Sequence, residues 1–366
     1  MRKLKVIISG GGTGGHIFPA IAIAKAIERQ IHHVDFLFVG ARDRMEMEKV
    51  PNEGYKIIGL SISGIQRGLD KRNLFFPFKL LHSLWKSNKI IKDFAPDLAI
   101  GTGGYASAPL LYMAAKRGIP SLIQEQNSYP GVTNKILAQY VDKVCVAYDD
   151  MQRFFPLKKT IFTGNPIRKD IIGFEKRKQL AQKLFHIDVS KLTVLVIGGS
   201  LGAQTINDAI SENIQQLKDL GINLIWQTGL SYQHKSQEFI NQINMRGMNA
   251  YTFIKDIHNA YAVSDVIISR AGAIAISELC CIGKPIILVP SPNVAENHQY
   301  KNAQSLVNKN AALLVDDAQA NCKLVDILKE LIKDEDLKVS LASNIKKIAV
   351  TDAADRIAKI ALDLVK

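Results

Sequence analysis

The sequence predicts an α/β chain made of two doubly wound halves, and three observations carry that expectation. Residues 4–9, Leu-Lys-Val-Ile-Ile-Ser, read as a short β-branched strand entering the turn Gly10-Gly11-Gly12-Thr13-Gly14-Gly15-His16. The stretch after it, 21–28, has the alanines and spaced apolar residues of a helix. Apolar strands and helical stretches then alternate through the first half, and the plan restarts at 192–197, which enters a second turn, Gly198-Gly199-Ser200-Leu201-Gly202-Ala203.

A chain of 366 residues is long enough for two domains, each with its own core. The hydrophobic fraction of 47% and charged fraction of 22% belong to a globular protein rather than a membrane-spanning or disordered one. No apolar run approaches the roughly 18 residues of a membrane span. The start, Met1-Arg2-Lys3, leads into a strand interrupted by Lys5, which is not the pattern of a signal peptide. Cys145, Cys280, Cys281 and Cys322 have no C-x-x-C spacing, so a reducing compartment is expected. A net charge of +13 suits an anionic partner, whether nucleic acid, lipid or substrate, without choosing among them.

In chain order, the second strand is expected at 35–39 and leaves into Gly40-Ala41-Arg42. A third follows near 55–60. Residues 71–92 hold six Lys or Arg and no acid, interleaved with Phe75, Phe76, Phe78 and Trp85. On a helix, Phe78, Leu81 and Trp85 share one side and Lys79, His82, Lys86 and Lys89 another. That pattern fits a segment lying on an anionic membrane surface, and it equally fits a helix packing its apolar stripe on the core. Residues 97–100 form a strand into a further glycine turn, Gly101 to Ser107. After a helix over 108–118, the strand 120–123 ends in the polar cluster Gln124-Glu125-Gln126-Asn127, where open α/β sheets bind ligands. Strands at 143–147 and 160–163 lead to Gly164-Asn165-Pro166-Ile167-Arg168, the composition of a joint between domains.

In the second half a charged helix around 174–184 precedes the strand 192–197. Strands at 224–227 and 250–254 continue the sheet. Residues 265–270 lead into Ala271-Gly272-Ala273 and a helix over 274–281. The strand 285–290 is the last clear one. The closing stretch, 352–366, is amphipathic through Ile357, Ile360 and Leu364.

Gly10, Gly12 and Gly15 fit the dinucleotide pattern G-x-G-x-x-G, but the acid such a site needs at the end of its second strand is missing, because Asp35 stands at the wrong end. The distinctive residue is His16, a titratable imidazole where turn becomes helix. Each glycine turn leaves N–H groups at a helix N-terminus, an environment that favours anions, although strand-to-helix geometry alone also asks for glycine. Two such turns in the second half would suit a diphosphate without a metal. Glu278 is placed to accept ribose hydroxyls or is a surface helix residue, and Gln299 is a ligand contact or a loop amide. There is no H-E-x-x-H, no D-x-D and no Cys/His cluster, so no metal site is expected. The absence of G-x-S-x-G gives no sign of a hydrolase nucleophile.

Taken together, GGTGGHIFPA at 11–20, GGYAS at 103–107, EQN at 125–127 with PGVTN at 130–134, GNPIR at 164–168, GGSLGA at 198–203, SRAGAIAISE at 269–278 and ENHQYKNA at 296–303 closely resemble the MurG family, within glycosyltransferase family 28. The ordered set runs from the first strand to the last. The resemblance implies a GT-B fold of two Rossmann-like domains facing across a cleft. Residues 1–166 would form an acceptor and membrane-associating domain, with a helix at about 350–366 crossing back to it. Residues 167–349 would form the UDP-sugar domain.

The implied activity is inverting transfer of N-acetylglucosamine from UDP-GlcNAc to the muramyl 4-hydroxyl of lipid I, giving lipid II. The implied partners are UDP-GlcNAc, lipid I, an anionic membrane surface through 71–92 and other cell-wall synthesis proteins, with no nucleic acid and no cofactor. The setting would be the cytoplasmic face of the bacterial plasma membrane. By matching motif, Thr13, Gly14 and Gly15 approach the donor, and Asn127 and Arg168 bind it. Ser200 contacts phosphate and Ile254 lies by the uracil. Ala273, Ile274, Ala275, Ile276, Ser277 and Glu278 line the phosphate, sugar and ribose, and Gln299 meets the sugar. Ala275 departs from the threonine many relatives carry, so a hydroxyl contact is lost there. Inversion puts acceptor and leaving group on opposite faces, which places the base in the first domain. His16 is the candidate, with an ordinary pKa near 6.5, and Glu125 is its competitor; His16 as a turn-stabilising or positioning group remains the alternative. A UDP-GlcNAc 2-epimerase, a glycolipid glycosyltransferase and a non-catalytic UDP-sugar sensor are the rival functions.

Overall fold

The computed structural model describes residues 3–62, 76–171, 173–199 and 201–366. The chain divides into two units, one of Met1–Arg168 with Asp352–Lys366 and one of Lys169–Thr351. The first holds seven parallel strands: β1 (Leu4–Ser9), β2 (Val34–Ala41), β3 (Lys56–Leu60), β4 (Leu98–Gly101), β5 (Ser121–Glu125), β6 (Lys143–Val146) and β7 (Thr160–Phe162). Their order across the sheet is β3-β2-β1-β4-β5-β6-β7. The second unit holds β8 (Thr193–Ile197), β9 (Asn223–Gln227), β10 (Met248–Tyr251), β11 (Val266–Ser269), β12 (Ile286–Leu288) and β13 (Leu313–Leu314), ordered β10-β9-β8-β11-β12-β13.

Each sheet is doubly wound, so the order reverses beside its first strand. In the first unit that place is between β1 and β4, where Ser9 pairs with Gly101, and in the second between β8 and β11, where Ile197 pairs with Ser269. Chains leaving adjacent strands there depart to opposite faces and open a crevice at the carboxyl ends. The strands are continuous apolar runs because helices cover both faces. Val6 and Ile8 join a core with Ile17, Ile23 and Ile27 of the helix Gly14–Gln30, while Ile7 joins Leu110 and Leu111 on the other side. The C-terminal helix Ala353–Asp363 belongs to the first unit. Its Ile357 and Ala361 enter that first core, and Arg29 pairs with Asp355 at 2.7 Å.

Two strand expectations needed revision. The strand placed at 250–254 lies at Met248–Tyr251, because Gly247 sets the turn before it and Ile254 already belongs to the exit loop. Leu313–Leu314 is a further strand beyond 285–290, too short to show as a pattern in the sequence. The helix Phe76–Phe94 turns Ser83, Ser87, Ile90 and Ile91 inward, leaving Phe78, Leu81 and Trp85 exposed at 70%, 65% and 62%. The aromatic stripe therefore does not pack on the core. Lys86 leaves the basic face expected for it and donates to the Gly59 carbonyl at 2.7 Å, with burial and the Arg42 charge lowering its pKa. Residues 71–75 of the basic segment lie outside the described residues.

Candidate functional site

The glycine turns singled out in the sequence sit at the two switch points. In the first unit, Thr13 precedes the helix Gly14–Gln30 in an extended conformation, and its carbonyl accepts from His16 N at 3.1 Å and Ile17 N at 3.2 Å. His16 is half-buried. Its Nδ1 lies 3.0 Å from the Gly11 carbonyl and 3.1 Å from Thr13 Oγ1. A carbonyl only accepts, so Nδ1 carries the proton and Thr13 Oγ1 is a second acceptor. In the neutral ring, Nε2 is then the nitrogen with the lone pair. The His16 carbonyl is held in turn by Thr102 Oγ1 at 2.8 Å.

Two of this turn's N–H groups are taken up within the protein. Gly11 N–H donates to the Gly103 carbonyl at 3.3 Å. Gly12 N–H donates to both carboxylate oxygens of Glu46, each at 3.0 Å. Glu46 is fully buried and also accepts from Ala41 N at 2.9 Å. An internal carboxylate thus engages the Gly12 N–H. Glu46 escaped the sequence reading because it lies in a charged segment with no motif.

Glu125, at the end of β5, is buried at 2% exposure and organises the loop after it. One oxygen accepts from Asn127 N at 3.0 Å and Asn127 Nδ2 at 3.2 Å, and the other from Gly131 N at 3.2 Å and Asn134 Nδ2 at 2.9 Å. Burial raises its pKa, and these four donors work against the rise. Beneath it Gln124, Gln126 and Asn165 form a buried network, with Gln124 Nε2 to Asn165 Oδ1 at 2.9 Å and Asn165 Nδ2 to the Gln126 carbonyl at 3.0 Å. The network ties the EQN loop to the GNPIR segment, whose Arg168 is exposed.

In the second unit, the turn after β8 opens the helix Gln204–Glu212, and the turn after β11 opens the helix Ala273–Ile282. The capping residues Ala203 and Gly272 have no side-chain oxygen, and neither first turn carries an acid. Both helix ends therefore keep their positive dipole, directed at the crevice between β8 and β11. Ser200 lies outside the described residues. Gln227 joins two of the expected contact regions: its Nε2 donates to the Gly199 carbonyl at 3.0 Å and its Oε1 accepts from Ile254 N at 2.9 Å. Nothing in the sequence around Gln227 marks an inward amide. Glu278 is buried at 7% exposure, which removes the surface-glutamate reading. Ala273, Ile274, Ala275, Ile276 and Ser277 form the first turns of the same helix, with Ser277 Oγ donating to the Ala273 carbonyl at 3.0 Å. Gln299 is half-buried, and its Oε1 accepts from Ser291 N at 2.8 Å, fixing the loop after β12. Among the described residues there is no group of three or more His, Cys, Asp or Glu able to hold a metal ion.

Comparison with known proteins agrees with this layout. The glycosyltransferase family 28 N-terminal domain matches residues 6–146, and the family's C-terminal domain matches residues 193–357. A protein of Cytophaga hutchinsonii named UDP-N-acetylglucosamine–N-acetylmuramyl-(pentapeptide) pyrophosphoryl-undecaprenol N-acetylglucosamine transferase is 51% identical, over 100% of this chain and 98% of its own. A protein of the same name from Phocaeicola vulgatus is 52% identical, over 98% and 95%. Among solved structures, Acinetobacter baumannii MurG superposes with a TM-score of 0.81 at 26% identity, over 98% of this chain and 99% of that one. UDP-GlcNAc 2-epimerase from Neisseria meningitidis shares the fold, at a TM-score of 0.70 and 14% identity over 98% and 100%.

Proposed function

The chain belongs to glycosyltransferase family 28, and from that membership we propose that it transfers N-acetylglucosamine from UDP-N-acetylglucosamine to undecaprenyl-pyrophosphoryl-MurNAc-pentapeptide. The observation that carries this reading is end-to-end similarity, at half identity, to transferases of that name. The fold alone, shared with epimerases, would not choose the reaction.

The residue roles proposed are those the family resemblance implies for the matching motifs. The donor diphosphate is held by the N-termini of the helices Gln204–Glu212 and Ala273–Ile282, with Arg168 and the Ser200 turn supplying further donors. Glu278 accepts the ribose hydroxyls, backbone at Ile254 meets the uracil, and Gln299 and Asn127 meet the sugar. Several amide hydrogen bonds to a charged group, at about 1.5–3 kcal/mol each, favour the diphosphate most as it departs with full charge. Thr13, Gly14 and Gly15 approach the donor, as the resemblance implies. The muramyl 4-hydroxyl gives its proton to His16 Nε2 while its oxygen bonds the anomeric carbon. The bond from that carbon to the diphosphate oxygen breaks, its electron pair leaves with UDP, and the configuration inverts from α to β. A positioned base of this kind contributes about 10²–10⁴-fold. Glu125, with both oxygens engaged by the 127–134 loop, supports Asn127 rather than taking the proton.

The exposed stripe of Phe78, Leu81 and Trp85, beside exposed Lys79 and Lys89, supports attachment to an anionic membrane surface, the cytoplasmic leaflet where the lipid acceptor would be met. No helix among the described residues is long and apolar enough to cross a membrane. The deciding assay supplies labelled UDP-GlcNAc with a lipid I analogue, or with diacylglycerol in its place, to wild type and to His16→Ala. Label in a disaccharide lipid product, lost in the variant with donor affinity kept, is expected. Label moved only to diacylglycerol, or a 2-epimer formed from donor alone, would replace the reading.

A further inference from the structure

The buried Glu46 is used by no step above, yet it is joined to His16 through one peptide group. The bond between Gly11 and Gly12 presents two polar atoms on opposite edges. Its N–H, on Gly12, donates to the Glu46 carboxylate at 3.0 Å, and its C=O, on Gly11, accepts from His16 Nδ1 at 3.0 Å. We propose that Glu46 is a positioning residue for His16, acting through the Gly11–Gly12 peptide to fix the imidazole tautomer and raise the basicity of Nε2. The inference rests on the reading of His16 as the proton acceptor.

The physical argument is polarisation. A carboxylate accepting from an amide N–H draws the amide towards its charge-separated resonance form, which puts more negative charge on the carbonyl oxygen. That oxygen binds the Nδ1 proton more strongly and favours the imidazolium formed when Nε2 takes a second proton. The arrangement does for His16 what a directly bonded carboxylate does in a Ser-His-Asp triad, with a peptide group interposed.

The site is built for the carboxylate. A methyl carbon on Gly11 would fall 2.1 Å from Glu46 Oε1, and one on Gly40 would fall 2.5 Å from Glu46 Cγ. Both positions therefore leave room for this side chain to pass beneath the turn. Ala41 N–H, at 2.9 Å, holds Oε1 from the far side. Thr13 Oγ1 lies 3.1 Å from Nδ1, and Gly103 packs against the ring.

The test uses the full chain labelled with ¹⁵N-histidine. In wild type the neutral His16 ring is expected to carry its proton on Nδ1. Glu46→Gln keeps the shape and an acceptor for the two amides but removes the charge. It is expected to lower the His16 titration midpoint by about half a pH unit or more. The acid limb of the kcat/KM profile should move with it, and kcat should fall about 3- to 30-fold, a fraction of what a base supplies. KM for UDP-GlcNAc should hold within about 2-fold, as expected when transition-state rather than ground-state interactions are lost. A purely structural glutamate would lower thermal stability and leave tautomer and midpoint alone. An unchanged midpoint in folded Glu46→Gln overturns the relay, whatever the activity. If that variant does not fold, a neutral wild-type ring protonated on Nε2 overturns it instead. Full turnover by His16→Ala would defeat the base reading separately, since the spectra of Glu46→Gln do not depend on catalysis.

Discussion

His16 lies directly against Gly103. A methyl carbon built on that glycine would fall 2.8 Å from the ring Cδ2 and 3.1 Å from Nε2, the nitrogen assigned to take the proton. The backbone at Gly103 is also left-handed, with φ of +96°, so a side chain there is strained as well as crowded. Gly103→Ala should push the imidazole off the Gly11 carbonyl and reduce kcat by about 10²-fold, the scale of losing a positioned base. Donor affinity should be unchanged by isothermal titration, because Gly103 is not among the residues assigned to the donor. A variant with normal turnover would mean the ring is not where proton transfer occurs.

How much of this was legible beforehand varied with physical range. The turn at 10–15 and the helix behind it were readable because glycine content and apolar spacing are local signals. The exit of β5 into Glu125 and Asn127 was readable for the same reason, as a polar cluster on a strand end. Glu46 and Gln227 were not. Their importance comes from hydrogen bonds to Gly12, Gly199 and Ile254, which are 34, 28 and 27 positions away. No local pattern encodes which amide a buried polar side chain will meet after the chain has folded. The aromatic stripe at 78–85 was ambiguous in sequence because core and membrane faces share one spacing, and only burial separates them.

Glu125 should make stability depend on pH in a definite direction. Burial raises its pKa in the folded unit above the ordinary carboxylate value near 4.3. Between the two values the folded chain holds a proton that the unfolded chain has released. The associated stability is therefore complete below the unfolded value and is lost as pH rises through the folded one. Glu125→Gln cannot titrate, so melting temperatures measured across that window should vary less with pH than in wild type. The variant should also be less stable at every pH, by about 1–3 kcal/mol, because its amide nitrogen faces N–H donors the carboxylate had satisfied. A wild-type melting temperature rising through the window relative to the variant would reverse the assigned shift.

The four cysteines are free and should separate by reactivity. Burial pushes the thiols of Cys145 and Cys280 up to about 12, and that of Cys281 up to about 11. Thiolate is the nucleophile, so none of the three should react with iodoacetamide near pH 8 while the protein is folded. Cys322 is exposed and should take one adduct. Intact mass should show a single modification in buffer and four in denaturant. A second native adduct on Cys281, in the last turn of the helix carrying Glu278, would show that this helix opens on the labelling timescale.

The exposed side of the helix Phe76–Phe94 gives a prediction that separates attachment from folding. Phe78, Leu81 and Trp85 are more than half exposed, while the inward face is made by Ser83, Ser87, Ile90 and Ile91. Replacing all three exposed residues by serine removes little buried surface, so the melting temperature should move by no more than a surface substitution allows, within about 0.5 kcal/mol each. Binding to vesicles containing anionic lipid should fall far more, because inserting each large apolar side chain contributes about 1.5–3 kcal/mol. Adding salt should weaken wild-type binding through the lysines and leave the apolar share in place. Turnover of a water-soluble lipid I analogue should stay normal while turnover of vesicle-embedded acceptor drops. If the triple variant loses stability instead, or binds vesicles as wild type does, the stripe serves a contact within the protein and the membrane is met elsewhere.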